Sequence, residues 1–326
     1  MTTSVTVQAH ANIALIKYWG KRDDKLFLPT KSSLSMTLSP LTSVTTLSFC
    51  DGQHQIFFNG ILKHKDITHC QIINFLEFFK KELGLNYFFS VDTRNTFPTA
   101  AGLASSASGY AALVYGLNKL CHLNLSPEQL SQYARQGSGS ACRSLFGGFV
   151  LWNKGERANG SDSYAKQLFD EHHWPELRVL VAVVNAEEKE ISSRQGMKIA
   201  MATSPFYQQW VVQSEQKIPL IIDAIKQKNL ECVGMLAEED CLGMHKTMHT
   251  SSPSFSFWTT DTGKVVQCVR KLRDSDIICF FTIDAGPNVK ILCLQKDVAA
   301  IKKTLADAGC AKQLIECMVG SGPTIV

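Results

Sequence analysis

The stretch Pro98-Thr-Ala-Ala-Gly-Leu-Ala-Ser-Ser-Ala-Ser108 carries almost no side-chain bulk, so the oxygens of a ligand can come down onto its main chain. Residues 87–91 before it read as a strand, and Ala107, Tyr110, Ala111, Val114 and Leu117 after it recur at helical spacing. Ser105 and Ser106 are good N-cap types, so the loop opens a helix. Free N–H groups and the positive end of the dipole make such a start a binding place for phosphate. The dipole contributes only about 0.3–1 kcal/mol per charge, so several backbone N–H bonds must carry most of the grip. The same small residues would also let a helix pack closely on a strand and bind nothing, and the loop alone leaves both readings open. It is neither a Walker A loop nor the Gly-x-Gly-x-x-Gly of a dinucleotide fold.

Cations and hydroxyls gather at three other places. An apolar run ends in Lys17-Tyr-Trp-Gly-Lys21, putting two cations and two aromatics at a strand exit, where folds often keep binding groups. The span Gly137-Ser-Gly-Ser-Ala-Cys-Arg143 combines serine hydroxyls, open backbone and one arginine, which suits an anion with several oxygens. Ser192-Ser-Arg194 repeats that combination at a helix entry. Asp284 ends the apolar run Ile277–Ile283, where it either serves as a base or merely accepts N–H bonds in the Asp-Ala-Gly-Pro turn. Together these residues fit phosphoryl transfer to a small anionic alcohol: phosphates on the loop, cations on the acceptor, and Asp284 taking the hydroxyl proton. No Gly-x-Ser-x-Gly or His-Glu-x-x-His occurs, which removes the commonest hydrolase readings.

The elements that must position these groups alternate along the chain. Residues 5–10 read as an edge or half-buried strand and residues 11–21 as a second apolar one. Short antiparallel strands are expected over 30–59, with turns at Ser39-Pro40, Asp51-Gly52 and Asn59-Gly60. A helix follows over Ile67–Leu83, with Ile72, Phe75, Phe78 and Phe79 inward. Ser126-Pro-Glu-Gln129 starts another, running to about Gln136. Residues 162–174, with His172-His173, read as a polar surface excursion. Beyond the apolar strand 177–184, helices are expected over 206–212, 218–226, 230–248 and 260–273, then a hairpin at 277–294, a helix over 298–308 and a short strand at 317–319.

At 326 residues and 45% hydrophobic content the chain can bury a large core in two domains or one large one. A net charge of +4 with no long basic block disfavours nucleic acid or a membrane surface as partner. Eleven scattered cysteines without a Cys-x-x-Cys pair argue for thiols in a reducing compartment, and cytoplasm is the default. No apolar run approaches the roughly 18 residues of a membrane span.

The loop 98–108 resembles the phosphate loop of the GHMP family of small-molecule kinases, with Ala104 where many members carry a second glycine. Ala11-Asn-Ile-Ala-Leu-Ile-Lys-Tyr-Trp-Gly-Lys21, Gly137-Ser-Gly-Ser-Ala-Cys-Arg143 and Ile283-Asp-Ala-Gly-Pro-Asn288 narrow the match, since they resemble the mevalonate diphosphate decarboxylases in the right order. The resemblance implies an α/β (α+β) chain of two GHMP-type domains. Residues 1–178 would form an N-terminal α/β domain of the ribosomal-S5-like type, and residues 179–326 a C-terminal ferredoxin-like α+β domain bringing the catalytic Asp. It also implies conversion of ATP and mevalonate 5-diphosphate to isopentenyl diphosphate, ADP, phosphate and carbon dioxide, with Mg2+ as cofactor and a homodimer as assembly.

By the same resemblance Asp284 is the base, with Lys17 and Asn12 beside it, and Arg143 holds the substrate carboxylate. Tyr18, Trp19, Gly20, Lys21, Ser138, Gly139, Ser140, Ala141, Cys142, Ser193 and Arg194 surround the substrate. Ala101, Gly102, Leu103, Ala104, Ser105 and Ser106 take the ATP phosphates, and Met197 lines the adenine pocket or sits in the core. No motif names a metal ligand. Two alternatives stay open: a relative acting on mevalonate or its monophosphate, and a non-catalytic ligand-binding member of the fold.

Overall fold

A computed structural model describes residues 3–64, 66–97, 105–185 and 191–326. In chain order it contains β1 (Ser4–Ile16), β2 (Lys21–Asp23), β3 (Leu28–Pro29), β4 (Ser33–Cys50), β5 (Gln55–Phe58), β6 (Ile61–Leu62), α1 (Ile67–Leu83), β7 (Phe88–Asn95), α2 (Ser105–Leu120) and α3 (Pro127–Gly137). Then come β8 (Phe149–Trp152), β9 (Ala165–Phe169), β10 (Leu177–Val183), α4 (Ser193–Thr203), α5 (Tyr207–Lys226), α6 (Leu230–His249) and α7 (Thr260–Arg273). The chain ends with β11 (Cys279–Ile283), β12 (Val289–Leu294), α8 (Val298–Asp307), β13 (Gln313–Val319) and β14 (Thr324–Ile325).

Twelve strands form one mixed sheet along the path β11-β12-β10-β13-β4-β7-β5-β6, with β1 joined to β4 and β14, and β8 to β4 and β9. The halves of the chain meet where Met318 and Val319 of β13 pair with Ser39 and Leu38 of β4. One core lies where α1, α2 and α3 cover the first half of the sheet, with Phe75, Phe79, Leu113 and Leu117 against Val7, Leu47 and Val91. A second core sets Ile218, Ile221 and Val233 of α5 and α6 under Ile13, Leu34, Leu151 and Val179. A third joins α7 and α8 to β11 and β12. All seven residues of β10 are buried, as expected of a strand enclosed on both sides and paired along both edges.

Local chemistry explains the ends of the helices. Ser126 and Gln129 make a reciprocal capping box at the start of α3, with Pro127 just after the cap. Asp66 caps α1, and Gly84 ends it at φ +64°, where glycine carries no Cβ penalty. Ser192 caps α4 through the Gln195 N–H.

Four expectations need correction. The two strands expected over 5–10 and 11–21 are one long strand, β1, which ends at Ile16 and is fully buried in its second half. Ser39-Pro40 turns nothing: β4 runs through it, and the register against β1 jumps from His10↔Thr42 to Ala11↔Leu38. The proline, which has no N–H to give, thus sits in a bulge of the ladder. The helices expected over 206–212 and 218–226 are one helix, α5; Pro219 lies inside it, and Trp210, Ile218, Ile221 and Ile225 keep one continuous buried face. The polar excursion 162–174 instead holds β9, paired with β8, and ends in a buried Trp174. There His173 stacks on Phe169, ring centroids 4.4 Å apart, and reaches the Ile225 carbonyl, while His172 is exposed.

Candidate active site

The turn after β11 brings Asp284 against the exit of β1. Lys17 Nζ lies 2.7 Å from Asp284 Oδ1 and 3.0 Å from the Ala14 carbonyl, with its side chain 1% exposed. Lys290, on β12 and also buried, sits 3.8 Å from Asp284 Oδ2. Burial by itself would raise the Asp284 carboxyl; Lys17 first, then Lys290 and Arg143, outweigh it and hold the group below its ordinary value. Asp284 is 27% exposed, so an ionised carboxylate still faces the cavity.

That cavity has a volume of about 530 Å³, within the range of small-molecule sites. Asn12, Tyr18, Trp19 and Lys21 line it from β1 and its exit; Ser105 and Ser106 line it from the first turn of α2. Ser138, Gly139, Ser140 and Arg143 reach it from the turn after α3, Ser193, Arg194 and Met197 from α4, and Asp284 from the hairpin. Among the described lining residues Asp284 is the lone acid, facing Lys21, Arg143 and Arg194.

Arg143 is locked in place. Its NH1 donates to Ser33 Oγ at 2.6 Å and its NH2 to Asn12 Oδ1 at 3.3 Å, while Asn12 Nδ2 donates to Ser144 Oγ and the Ser140 carbonyl. The Arg143 Nε, the Tyr18 hydroxyl and the Trp19 indole N–H are buried without a hydrogen-bond partner. Three unsatisfied donors around one cationic cavity are what an oxygen-rich anion would complete. Burial pushes the Tyr18 hydroxyl up and the Lys21 ammonium down, the latter with help from Arg194 and partly offset by Asp24. Arg194 NH2 donates to the Gly137 carbonyl, tying α4 to the serine-bearing turn.

Small residues here have steric reasons. A Cβ on Gly139 would stand 2.6 Å from the Tyr18 hydroxyl, and one on Gly20, at φ +127°, would stand 1.7 Å from the Tyr207 hydroxyl. Tyr207 in turn donates to the Trp19 carbonyl at 2.9 Å, fixing the β1 exit.

Several expected residues stand elsewhere. Lys17 lies behind Asp284 rather than on the cavity wall, and Gly20 sits behind Trp19 against Tyr207. Ala141 and Cys142 are fully buried because their short helical turn packs inward; the Cys142 thiol reaches the Gly139 carbonyl and not the cavity. Met197 joins a cluster with Trp19, Met244 and Phe255. It lines the Asp284 cavity and not a second one, of about 410 Å³, that runs along α2 from Ser105 and Ser106 to Thr45, Thr93 and Asn95. Ser105 and Ser106 form the first turn of α2 instead of preceding it. Ala101, Gly102, Leu103 and Ala104 lie outside the described residues.

Sequence reasoning missed Lys290, although a lone cation inside the buried run Val289–Leu294 was a usable signal. It also missed Gln71, Tyr110 and Met244, which line the cavity but have no distinctive spacing.

Comparison with known proteins fits this geometry. Residues 9–165 match the family model described as diphosphomevalonate decarboxylase-like N-terminal domain. Residues 179–326 match that of the mevalonate 5-diphosphate decarboxylase C-terminal domain. Diphosphomevalonate decarboxylase of Bos taurus is 38% identical over 319 residues, covering 90% of this chain and 78% of its own. The crystal structure of mevalonate diphosphate decarboxylase from Staphylococcus aureus superposes with a TM-score of 0.94 at 36% identity, over 100% of this chain and 98% of that one. A structure described as MDDEF in complex with MVAPP, AMPPCP and magnesium gives 0.92 at 40% identity, over 99% of each chain.

Fold and cavity therefore define a two-domain protein of the GHMP kinase fold, with a cation-rich cleft lined from both halves. Within that class, the chain belongs to the mevalonate diphosphate decarboxylase family.

Proposed function

We propose that this chain is an ATP-dependent decarboxylase converting mevalonate 5-diphosphate to isopentenyl diphosphate, with ADP, phosphate and carbon dioxide released. The observation that carries the reading is that Asp284 lines the same cavity as Ser105, Ser106 and Arg143, so donor and acceptor meet in one place. Family membership and the ligands named for the MDDEF structure support it.

A tertiary hydroxyl is a poor leaving group, so it is first phosphorylated. Asp284 orients that hydroxyl and takes its proton as the oxygen attacks the γ-phosphorus of ATP and the bond to the ADP oxygen breaks. Lys17 and Lys290 keep the carboxylate ionised. Phosphate then leaves with its bonding electrons, cationic character builds on the carbon, and the electron pair of the carboxylate C–C bond forms the double bond as carbon dioxide departs. Arg143, braced by Ser33 and Asn12, holds the carboxylate in line. Tyr18, Lys21, Ser138, Ser140, Ser193 and Arg194 take the diphosphate, and Trp19 and Gly139 shape the pocket around it.

The nucleotide lies over the small-residue loop and Ser105 and Ser106, with its base directed into the cavity along α2. Among the described residues no group of three or more metal-ligating side chains occurs. Among the described residues the oxygens facing the proposed phosphate position are the neutral ones of Ser105 and Ser106, which suits a magnesium ion held mainly by nucleotide oxygens and water. When bound, that ion offsets phosphate charge.

The domain division is proposed at 178/179, the assembly as a homodimer, and the compartment as the cytoplasm. All eleven cysteines are free thiols, which fits a reducing compartment. Among the described residues no helix is long and apolar enough to cross a membrane. The test supplies ATP with mevalonate, its monophosphate or its diphosphate and follows ADP and carbon dioxide together. Equal release of both from the diphosphate alone is expected; ADP without gas contradicts the reading.

A further inference from the structure

Helix α6 grips both partners of the Lys17–Asp284 pair from behind, through groups that never reach the cavity. Asp240 is fully buried; its Oδ2 accepts the Lys17 backbone N–H at 2.6 Å, and its Oδ1 accepts the Ser214 hydroxyl. The Trp210 indole N–H donates to the Asp240 backbone carbonyl at 3.1 Å, so α5 fixes the helix at that point. Lys31, buried over the Trp210 ring, is the nearby countercharge. A carboxylate this deep is costly unless its oxygens are bonded, and here one bond goes to the residue whose side chain meets Asp284.

One residue further on, Cys241 Sγ accepts the Ile283 N–H at 3.1 Å, and a helical turn later His245 Nε2 lies 3.2 Å from the Ile283 carbonyl. That carbonyl only accepts, so Nε2 carries the proton of a neutral ring. Ile283 immediately precedes Asp284. Cys241 and His245 stack one turn apart, and Asp240 lies beside them on the buried side of the same helix, so a single rigid element sets where both partners of the ion pair leave their strands.

We propose that α6 is the common support of the reacting pair, with Asp240 the positioning residue for Lys17 and His245 that for Asp284. The inference rests on the reaction proposed above. A residue acting only through Asp284 affects turnover and not substrate capture, and it loses its effect once Asp284 is disabled.

The experiment measures kcat and both KM values for Asp240→Ala and His245→Phe, alone and combined with Asp284→Asn, with thermal unfolding as a check of folding. Each single variant is expected to lower kcat about 10- to 100-fold, with KM for ATP and mevalonate diphosphate within about twofold. In the Asp284→Asn background the further loss is expected to stay within about twofold. Asp240→Asn recovers most of the loss, because an amide oxygen can still accept the Lys17 N–H. Should Asp240→Ala fail to fold, Asp240→Leu, which keeps the side-chain shape but no acceptor for the Lys17 N–H, and His245→Phe carry the test. An unchanged kcat for His245→Phe, a raised KM at constant kcat, or equal losses with and without Asp284 overturns the inference. A wild-type protein that releases no carbon dioxide overturns the proposed reaction instead, whatever the variants do.

Discussion

Lys17 and Asp284 lie 267 residues apart in sequence and 2.7 Å apart in the structure, one leaving a strand whose last eight residues are all buried and the other crowning a hairpin of the second half. A proton acceptor made of one carboxylate and two buried lysines is neither free to wander nor free to protonate near neutrality. Such an acid orients a hydroxyl strongly and takes its proton only as the new bond to phosphorus forms.

Arg143 presents a planar fork held by Ser33 and Asn12. Arg143→Lys keeps the charge but not the fork. Losing one charge-assisted bond, worth about 1.5–3 kcal/mol, is expected to lower kcat/KM roughly 10- to 100-fold. Steady-state turnover at saturating ATP checks this, and a rate within about twofold of wild type removes Arg143 from carboxylate binding.

Gly20 combines a positive φ with a hydroxyl where its Cβ would stand. Gly20→Ala is expected to cost roughly 2–4 kcal/mol through backbone strain and displacement of Tyr207. Urea unfolding reads the loss; an unshifted midpoint shows that the β1 exit tolerates another path.

Burial pushes the His245 imidazole down to about 3, against an ordinary value of 6.5. Between those values the unfolded chain holds a proton that the folded chain refuses. Stability is therefore full above pH 6.5 and declines as pH falls towards 3, by up to about 1.4 kcal/mol per pH unit, or about 2 kcal/mol at pH 5. His10 and His54, also lowered by burial, act with the same sign. Unfolding free energies at pH 7 and 5 should differ by roughly that amount more in the wild type than in His245→Phe; equal differences would contradict it.

Asp284 and Arg143 were legible in the sequence because each interrupts its surroundings, an acid after seven apolar or small residues and an arginine among serines and glycines. The fold of α1, α3, α7 and the β11–β12 hairpin was legible for similar reasons, since apolar period and caps agree there. Pro40 misled, because tertiary pairing holds β4 together across it, and the gap expected between 212 and 218 is absent because α5 keeps one continuous buried face. Asp240 and His245 stayed hidden: each is a polar residue on a buried face whose partner lies on a distant segment. Local pattern carries the faces of the elements, and the pairing of distant elements decides which buried polar groups meet.

The most direct test is Asp284→Asn, measured for binding of mevalonate diphosphate and for release of ADP and carbon dioxide. Binding within a few-fold of wild type with both products slowed together by about 10²–10⁴-fold is the predicted result. Near-normal release of both would mean that the hydroxyl loses its proton elsewhere, and the assignment of this cavity would fail.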